Sequence, residues 1–252
     1  MIDPELKQKI QSLCPKESQS LLPEFVAGME TDYFTTFSPE AIAKHIQLAA
    51  ALTDERPVQV LIAPQAKDDY EISIIGFDYL AQFSIFCGLL SSFALDIRAG
   101  DSFSFSRRSP APKVVDVFHV TLRPGERFDE SKQLEFEEEL LTLARLLANG
   151  STQEARMRLY RFLTERIERM NVPLSGLLSP VTLTFDNESS ADWTVMAVLS
   201  EDTFAFLYAV SNALSMRGIY ISRVKITFTG IFLLLRRIIA TAASGNDKRK
   251  NK

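Results

Sequence analysis

An α+β fold, made of one unit used twice with a helical spacer between the copies, is what this sequence predicts. Three observations carry it. Stretches of alternating apolar and polar residues interleave with stretches of helical period. The segment "FDYLAQFSIFCGLLSSFALDIRAGDSF" (77–103) returns in altered form as "EDTFAFLYAVSNALSMRGIYISRVKIT" (201–227). Between them, residues 130–170 hold two long helical patterns and no strand signal.

Residues 1–32 read as a short amphipathic leader. In "FSPEAIAKHIQLAAAL", Ser38 is a natural N-cap and Pro39 suits the first helical position. Ile42, Ile46 and Ala49 follow at helical spacing, which predicts a helix over 39–52 that "TDERP" ends. "VQVLIAP" and "YEISIIG" read as strands around the polar turn "QAKDD". From Tyr79 to Ala94 the period becomes helical, with Leu80, Phe83, Cys87 and Leu90 as a stripe widened by Phe86 and Leu89. "DSFSFS" alternates strictly, and "KVVDVFHVTL" is rich in β-branched residues, so both read as strands.

In the spacer, "ESKQLEFEEELLTLARLLA" is one helix, closed by Asn149-Gly150, and "TQEARMRLYRFLTERIERM" is the other. The first is acidic and the second basic; either the two pair face to face or both faces are solvated. "PVTLTFDN" alternates, which places Val181, Leu183 and Phe185 inward. "WTVMAVL" is a strand. Residues 203–217 form a helix that buries Phe206, Leu207, Val210, Ala213 and Leu214. In "RVKITFT", Val224, Ile226 and Phe228 share one face and Arg223, Lys225, Thr227 and Thr229 the other; Arg217 and Arg223 read as surface residues by default, or as contacts for an anionic effector.

Placing Asp78 on Asp202 pairs Ala81 with Ala205, Leu90 with Leu214, Ser91 with Ser215, Leu95 with Ile219 and Ile97 with Ile221. A sheet with helices on one face leaves its other face or an edge exposed, and a second copy hides it. The unit also puts an Asp where a strand hands over to a helix. N–H groups at a helix N-terminus attract a carboxylate. Such a turn can hold an amino acid, with Asp78 or Asp202 receiving the ammonium. The simpler reading is that each Asp caps its helix.

"DYLAQFSIFCGLLSSFALDI" and "DTFAFLYAVSNALSMRGIYI" resemble the Asp-x-x-Gly-Leu pattern, with its later Leu-x-x-x-Gly-x-x-Ile, of ACT domains. "YFTTFSPEAIAKHIQLAAAL", "KVVDVFHV" and "VTLTFDNESSADWTVMAV" extend the likeness, over roughly 33–230, to the tandem ACT regions of nucleotidyltransferases of the glutamine-synthetase cascade. These are the PII uridylyltransferase and the glutamine-synthetase adenylyltransferase type. The resemblance implies two ferredoxin-like (βαββαβ) units at 56–128 and 179–230, after a leader at 1–55 and around a spacer at 129–178. It implies a module of nitrogen metabolism that senses glutamine or another amino acid and acts on a nucleotidyltransferase domain or protein, with room for a homodimer. The effector residues would be Asp78, Tyr79, Leu80 and Ala81, and Asp202, Thr203, Phe204 and Ala205. Ala81 and Ala205 stand where the family has Gly, and Leu80 and Phe204 near its usual Pro, while Gly218 keeps its place opposite Ala94. These departures give weight to a second function, a non-sensing dimerisation or interaction scaffold; a third is an N-terminal fragment of an adenylyltransferase. After Gly230, "IFLLLRRIIATAASGNDKRKNK" replaces the expected last strand, as a divergent helix or a shifted reading frame, so 231–252 read as a tail.

The rest of the composition excludes more than it assigns. Net charge is −4, which gives no pull toward nucleic acid or anionic membrane. No Asp-x-Asp, Walker loop, Gly-x-Ser-x-Gly or zinc-spaced Cys pair occurs, so no catalytic residue, metal or cofactor is expected. His45 and His119 read as structural, and "EFEEEL" (135–140) as a solvated helix face rather than a metal site. Cys14 and Cys87 fit two thiols in a reduced cytoplasm, although a disulfide between them stays open. "IFLLLRRIIATAA" is split by Arg236 and Arg237 and is too short to span a bilayer.

Overall fold

The structure, a computed structural model, describes residues 2–105, 112–170, 181–188, 194–200, 204–227 and 230–237. The leader is helical: α1 (Pro4–Leu13), a 3-10 turn (Lys16–Leu21), α2 (Leu22–Gly28), α3 (Tyr33–Thr36) and α4 (Pro39–Ala50). Asp3 caps α1 by accepting from the Glu5 N–H at 3.0 Å, and Ser38 caps α4 by accepting from the Ala41 N–H at 3.2 Å. Their apolar stripes meet in one core with Ile75, Phe103, Phe105, Val115 and Val117 of the sheet. Inside it, the Tyr33 hydroxyl and His45 Nδ1 share a 2.7 Å hydrogen bond. Burial lowers the His45 pKa to about 4, so the ring is a neutral packing group, as expected.

The remaining elements are β1 (Val58–Ala66), β2 (Asp69–Phe77), α5 (Gln82–Ser92), β3 (Leu95–Phe105), β4 (Lys113–Leu122), α6 (Glu130–Ala148), α7 (Thr152–Met170), β5 (Thr182–Asp186), β6 (Thr194–Leu199), α8 (Phe206–Met216), β7 (Ile219–Thr227) and β8 (Gly230–Arg237). The strands form one sheet in the order β1-β2-β4-β3-β7-β8-β6-β5. That order reads the same from both ends once the repeat is mapped onto itself. Two ββαββ halves join edge to edge where β3 Gly100–Phe103 pairs with β7 Arg223–Ile226. Backbone details repeat too. A register shift after Ile97 in β3 recurs after Ile221 in β7. The left-handed residues Ala81 and Ala94 recur as Ala205 and Gly218.

The α+β class therefore holds, and the expected βαββαβ connectivity does not. The difference is one of chain order and not of pairing: every neighbouring pair is antiparallel, as in a split βαβ sheet, but the outer strand β1 comes before the helix of its half instead of closing the unit. The reason is local: β1 and β2 form a tight hairpin with Asp68 at φ 66°, so two strands rather than one precede the helix. The second unit does not end at 230 either. β8 inserts between β6 and β7 and completes the second half.

Helices α5 to α8 cover one face of the sheet, and α1 to α4 cover the other face of the first half. Gly88 lets α5 sit hard against its neighbours: a Cβ there would lie 2.6 Å from Leu159 of α7 and 2.9 Å from Tyr208 of α8. The acidic and basic spacer helices do pair, through two Arg158–Glu139 hydrogen bonds of 2.6 and 2.8 Å. Cys14 and Cys87 are separate buried thiols. Among the described residues, no helix is long and apolar enough to cross a membrane.

Three expectations of burial or exposure are corrected. Ala213 of α8 is exposed and not buried. Arg223 is buried where the halves meet: Asp32 lies at 2.9 Å, Asp101 at 3.0 Å, Glu30 at 3.7 Å, and the Phe103 ring centroid at 3.5 Å. A strand face that is polar by alternation is buried here because the leader helices lie on it. Val181, Leu183 and Phe185 are exposed, at 46%, 48% and 58%. Leu183 and Phe185 pair with the buried Val198 and Met196, so they sit on the helix side of the sheet, but no helix among the described residues covers them.

Candidate functional site

The two strand-to-helix turns share a backbone and differ in surroundings. At the first, Ala81 takes φ 74° as the N-cap of α5, and no side chain caps that helix. Asp78 is not the cap. Its N–H donates to the Pro112 carbonyl at 2.8 Å, and its Oδ2 accepts from Ser104 at 2.7 Å. Gln82, which the sequence reading passed over, closes the turn by accepting from the Tyr79 N–H at 3.2 Å. Tyr79 and Leu80 form the outer wall of the turn. The cleft beside it is about 30 Å³, narrowed by Ser211, Ser215, Ile219 and Ile221 of the second half. That is space for one or two water molecules, far short of an amino acid.

Behind this turn lies Asp116, the Asp of "KVVDVFHV", 1% exposed and opposite Ser102 in the sheet. Neither carboxylate oxygen receives a well-formed hydrogen bond. Burial pushes its pKa to about 7; the Ser102 hydroxyl partly offsets this and the charge of Asp78 adds to it. The signal was available, since a charged residue in an otherwise apolar central strand needs a reason.

At the second turn, Ala205 takes φ 55° as the N-cap of α8, again with no side-chain cap. Phe204 packs under the Arg123 guanidinium, 5.2 Å from its ring centroid. Asp202 and Thr203 lie outside the described residues. This turn borders open space. A groove of about 660 Å³ runs between α7 and α8, lined by Leu163, Ile167, Phe204, Ala205 and Ala209, with Val181 at its end. Past Tyr160 and Tyr208 it continues into a hollow of about 890 Å³ beside Arg156, Met157, Arg161 and Met216. Met157, Tyr160 and Met216 are each about two-thirds exposed on its rim. The two turns are thus unequal: the first borders only a small cleft narrowed by the second half, and Phe204 and Ala205 of the second line a long apolar groove.

Among the described residues, no group of three or more His, Cys, Asp or Glu side chains is placed to hold a metal ion. Glu139 of "EFEEEL" is taken by Arg158, and His119 lies 3.8 Å from Glu71 at the surface. No family model matches the chain, and no curated protein is similar to it.

Proposed function

We propose that the chain is a protein-interaction module whose second half docks a partner element on its open helix-side face. One observation carries this reading. The helix side of the second half exposes Met157, Tyr160 and Met216 along the α7–α8 groove, and Leu183 and Phe185 on β5. Monomeric soluble proteins rarely leave contiguous apolar patches of more than a few hundred Å² without a binding role. The test is the fluorescence of 1-anilinonaphthalene-8-sulfonate with the native chain and with Tyr160→Asp. Enhancement by the native chain that drops in the variant, at unchanged circular dichroism, supports the reading. Equal signals from both would reject it.

A second reading is the sensing of glutamine or another amino acid by a regulator of a nucleotidyltransferase. What supports it is local. α5 and α8 both begin with left-handed alanines and without side-chain caps, so their first N–H groups lack that partner. On this reading the effector sits at Phe204 and Ala205, beside the groove, and not at the narrow turn of Asp78. Calorimetric titration with glutamine and the other amino acids decides it: heat that vanishes in Ala205→Val supports sensing, and silence across the set removes it.

A further inference from the structure

The open face has a counterpart within the same molecule. The strand order maps β1 onto β5, β2 onto β6, α5 onto α8, β3 onto β7 and β4 onto β8. In the first half, α6 lies over β1 and α5 and buries Phe136, Leu140, Leu143 and Leu147. Val60 and Ile62 of β1 pack against that core. The corresponding place over β5 and α8 has no helix among the described residues, and there Leu183 and Phe185 are exposed.

Shape and charge describe the occupant. The α7 residues that line the groove run from Gln153 to Glu168. At 1.5 Å per residue that is about 22 Å, or four helical turns. At the wide end, Arg156 and Arg161 border the hollow with Glu154. The Arg156 guanidinium donates to Ser215 at 3.0 Å through Nη2, while its buried Nε has no acceptor. On the other flank of α7, a guanidinium in similar company is already answered by a carboxylate, in the Arg158–Glu139 pair.

Resting on the docking function above, we infer that the groove between α7 and α8 receives an acidic amphipathic helix of a partner protein, seated over β5 as α6 is seated over β1. The apolar stripe of the partner helix lies on Tyr160, Tyr208 and Leu183. A carboxylate on its flank meets Arg156 and Arg161. An α6-like stripe, with apolar residues at i, i+4, i+7 and i+11, has the right period.

The probe is a capped, fluorescein-labelled peptide of residues 130–148, read by anisotropy against the full chain. Saturable 1:1 binding is expected. It should weaken by at least about tenfold in Tyr160→Asp, since a buried tyrosine is a common interface anchor. It should weaken by about fivefold in Arg161→Glu, and more at low salt than at high salt. A peptide with Glu135, Glu137, Glu138 and Glu139 all changed to Gln should bind about tenfold more weakly at low salt. Equal binding of the neutral peptide would overturn the acidic chemistry. Preference for an extended peptide of residues 181–186 would overturn the helix. Binding untouched by Tyr160→Asp would place the peptide elsewhere and overturn the site. If no peptide binds while the Tyr160-dependent dye signal persists, the inference falls and the docking function stands; if both are absent, both fall.

Discussion

Replacing Asp116 with Asn should change how stability depends on pH. A free aspartate titrates near 3.8, and burial raises the folded-state value to about 7. The group is an acid whose folded pKa lies above its unfolded one, so the fold favours the protonated form. Its contribution is intact below about pH 4, declines as pH rises from about 4 to 7, and is gone above 7. Three units at 1.36 kcal/mol each come to about 4 kcal/mol. The groups that face Asp116 do not cancel this: Asp78 is another acid, Ser102 is neutral, and the Cys87 thiol is itself pushed well up by burial and by Asp116. His45 acts with the opposite sign. Its pKa falls from 6.5 to about 4, so its contribution is lost as pH drops through that window. Comparing the native chain with Asp116→Asn cancels the histidine. Urea denaturation followed by far-ultraviolet circular dichroism, at half-unit steps from pH 4.5 to 8, reads the difference. The variant should gain on the native chain by several kcal/mol across that range, most of it between pH 5 and 7. Parallel curves would mean that Asp116 is not buried without a partner, and the reasoning would fail.

Arg223→Ala leaves Asp32 and Asp101 without their cation at the junction of the halves, and should cost about 3 kcal/mol in urea denaturation, with both halves still unfolding in one transition. Gly88→Ala drives a methyl into Leu159 and Tyr208, so the thermal midpoint should fall by an amount equivalent to about 1–3 kcal/mol; an unchanged midpoint would show that α7 and α8 can move apart freely. Ala81→Val puts a β-branched residue at φ 74° and should destabilise by about 2 kcal/mol or more, whereas Ala81→Gly should stay within about 1 kcal/mol, because relief of the left-handed strain is offset by a freer unfolded chain and a lost buried methyl.

Period and caps were enough to find most elements. The helix expected over 39–52 runs from Pro39 to Ala50 on the Ser38 cap, and the repeated helices lie within a few residues of their expected places. What period does not carry is pairing. "VQVLIAP" and "YEISIIG" look the same whether they pair with each other or with more distant strands, and only a tight turn through Asp68 decides it. β8 was missed for a related reason, since a short unbroken apolar run suits a central strand and a buried helix equally. Leu183 and Phe185 show the other limit: alternation reveals an apolar face, not whether anything covers it. Arg223 failed in reverse, because its neighbours on the polar face could not show that a leader acid 191 residues away in sequence would reach it. At the first turn, Gln82 and Ser104 are ordinary residues by sequence, and only the folded chain brings them to Tyr79 and Asp78.

Joining both halves through β3 and β7 in one polypeptide has a consequence for stoichiometry. Two separate copies of the same half, related by a true rotation axis, would be bound to present identical receptors on either side. Covalent fusion lifts that obligation: α6 covers β1 and α5 of its own half, and among the described residues no helix covers the matching place over β5 and α8. On the docking function proposed above, each chain would present one receptor and could cap a target without cross-linking it.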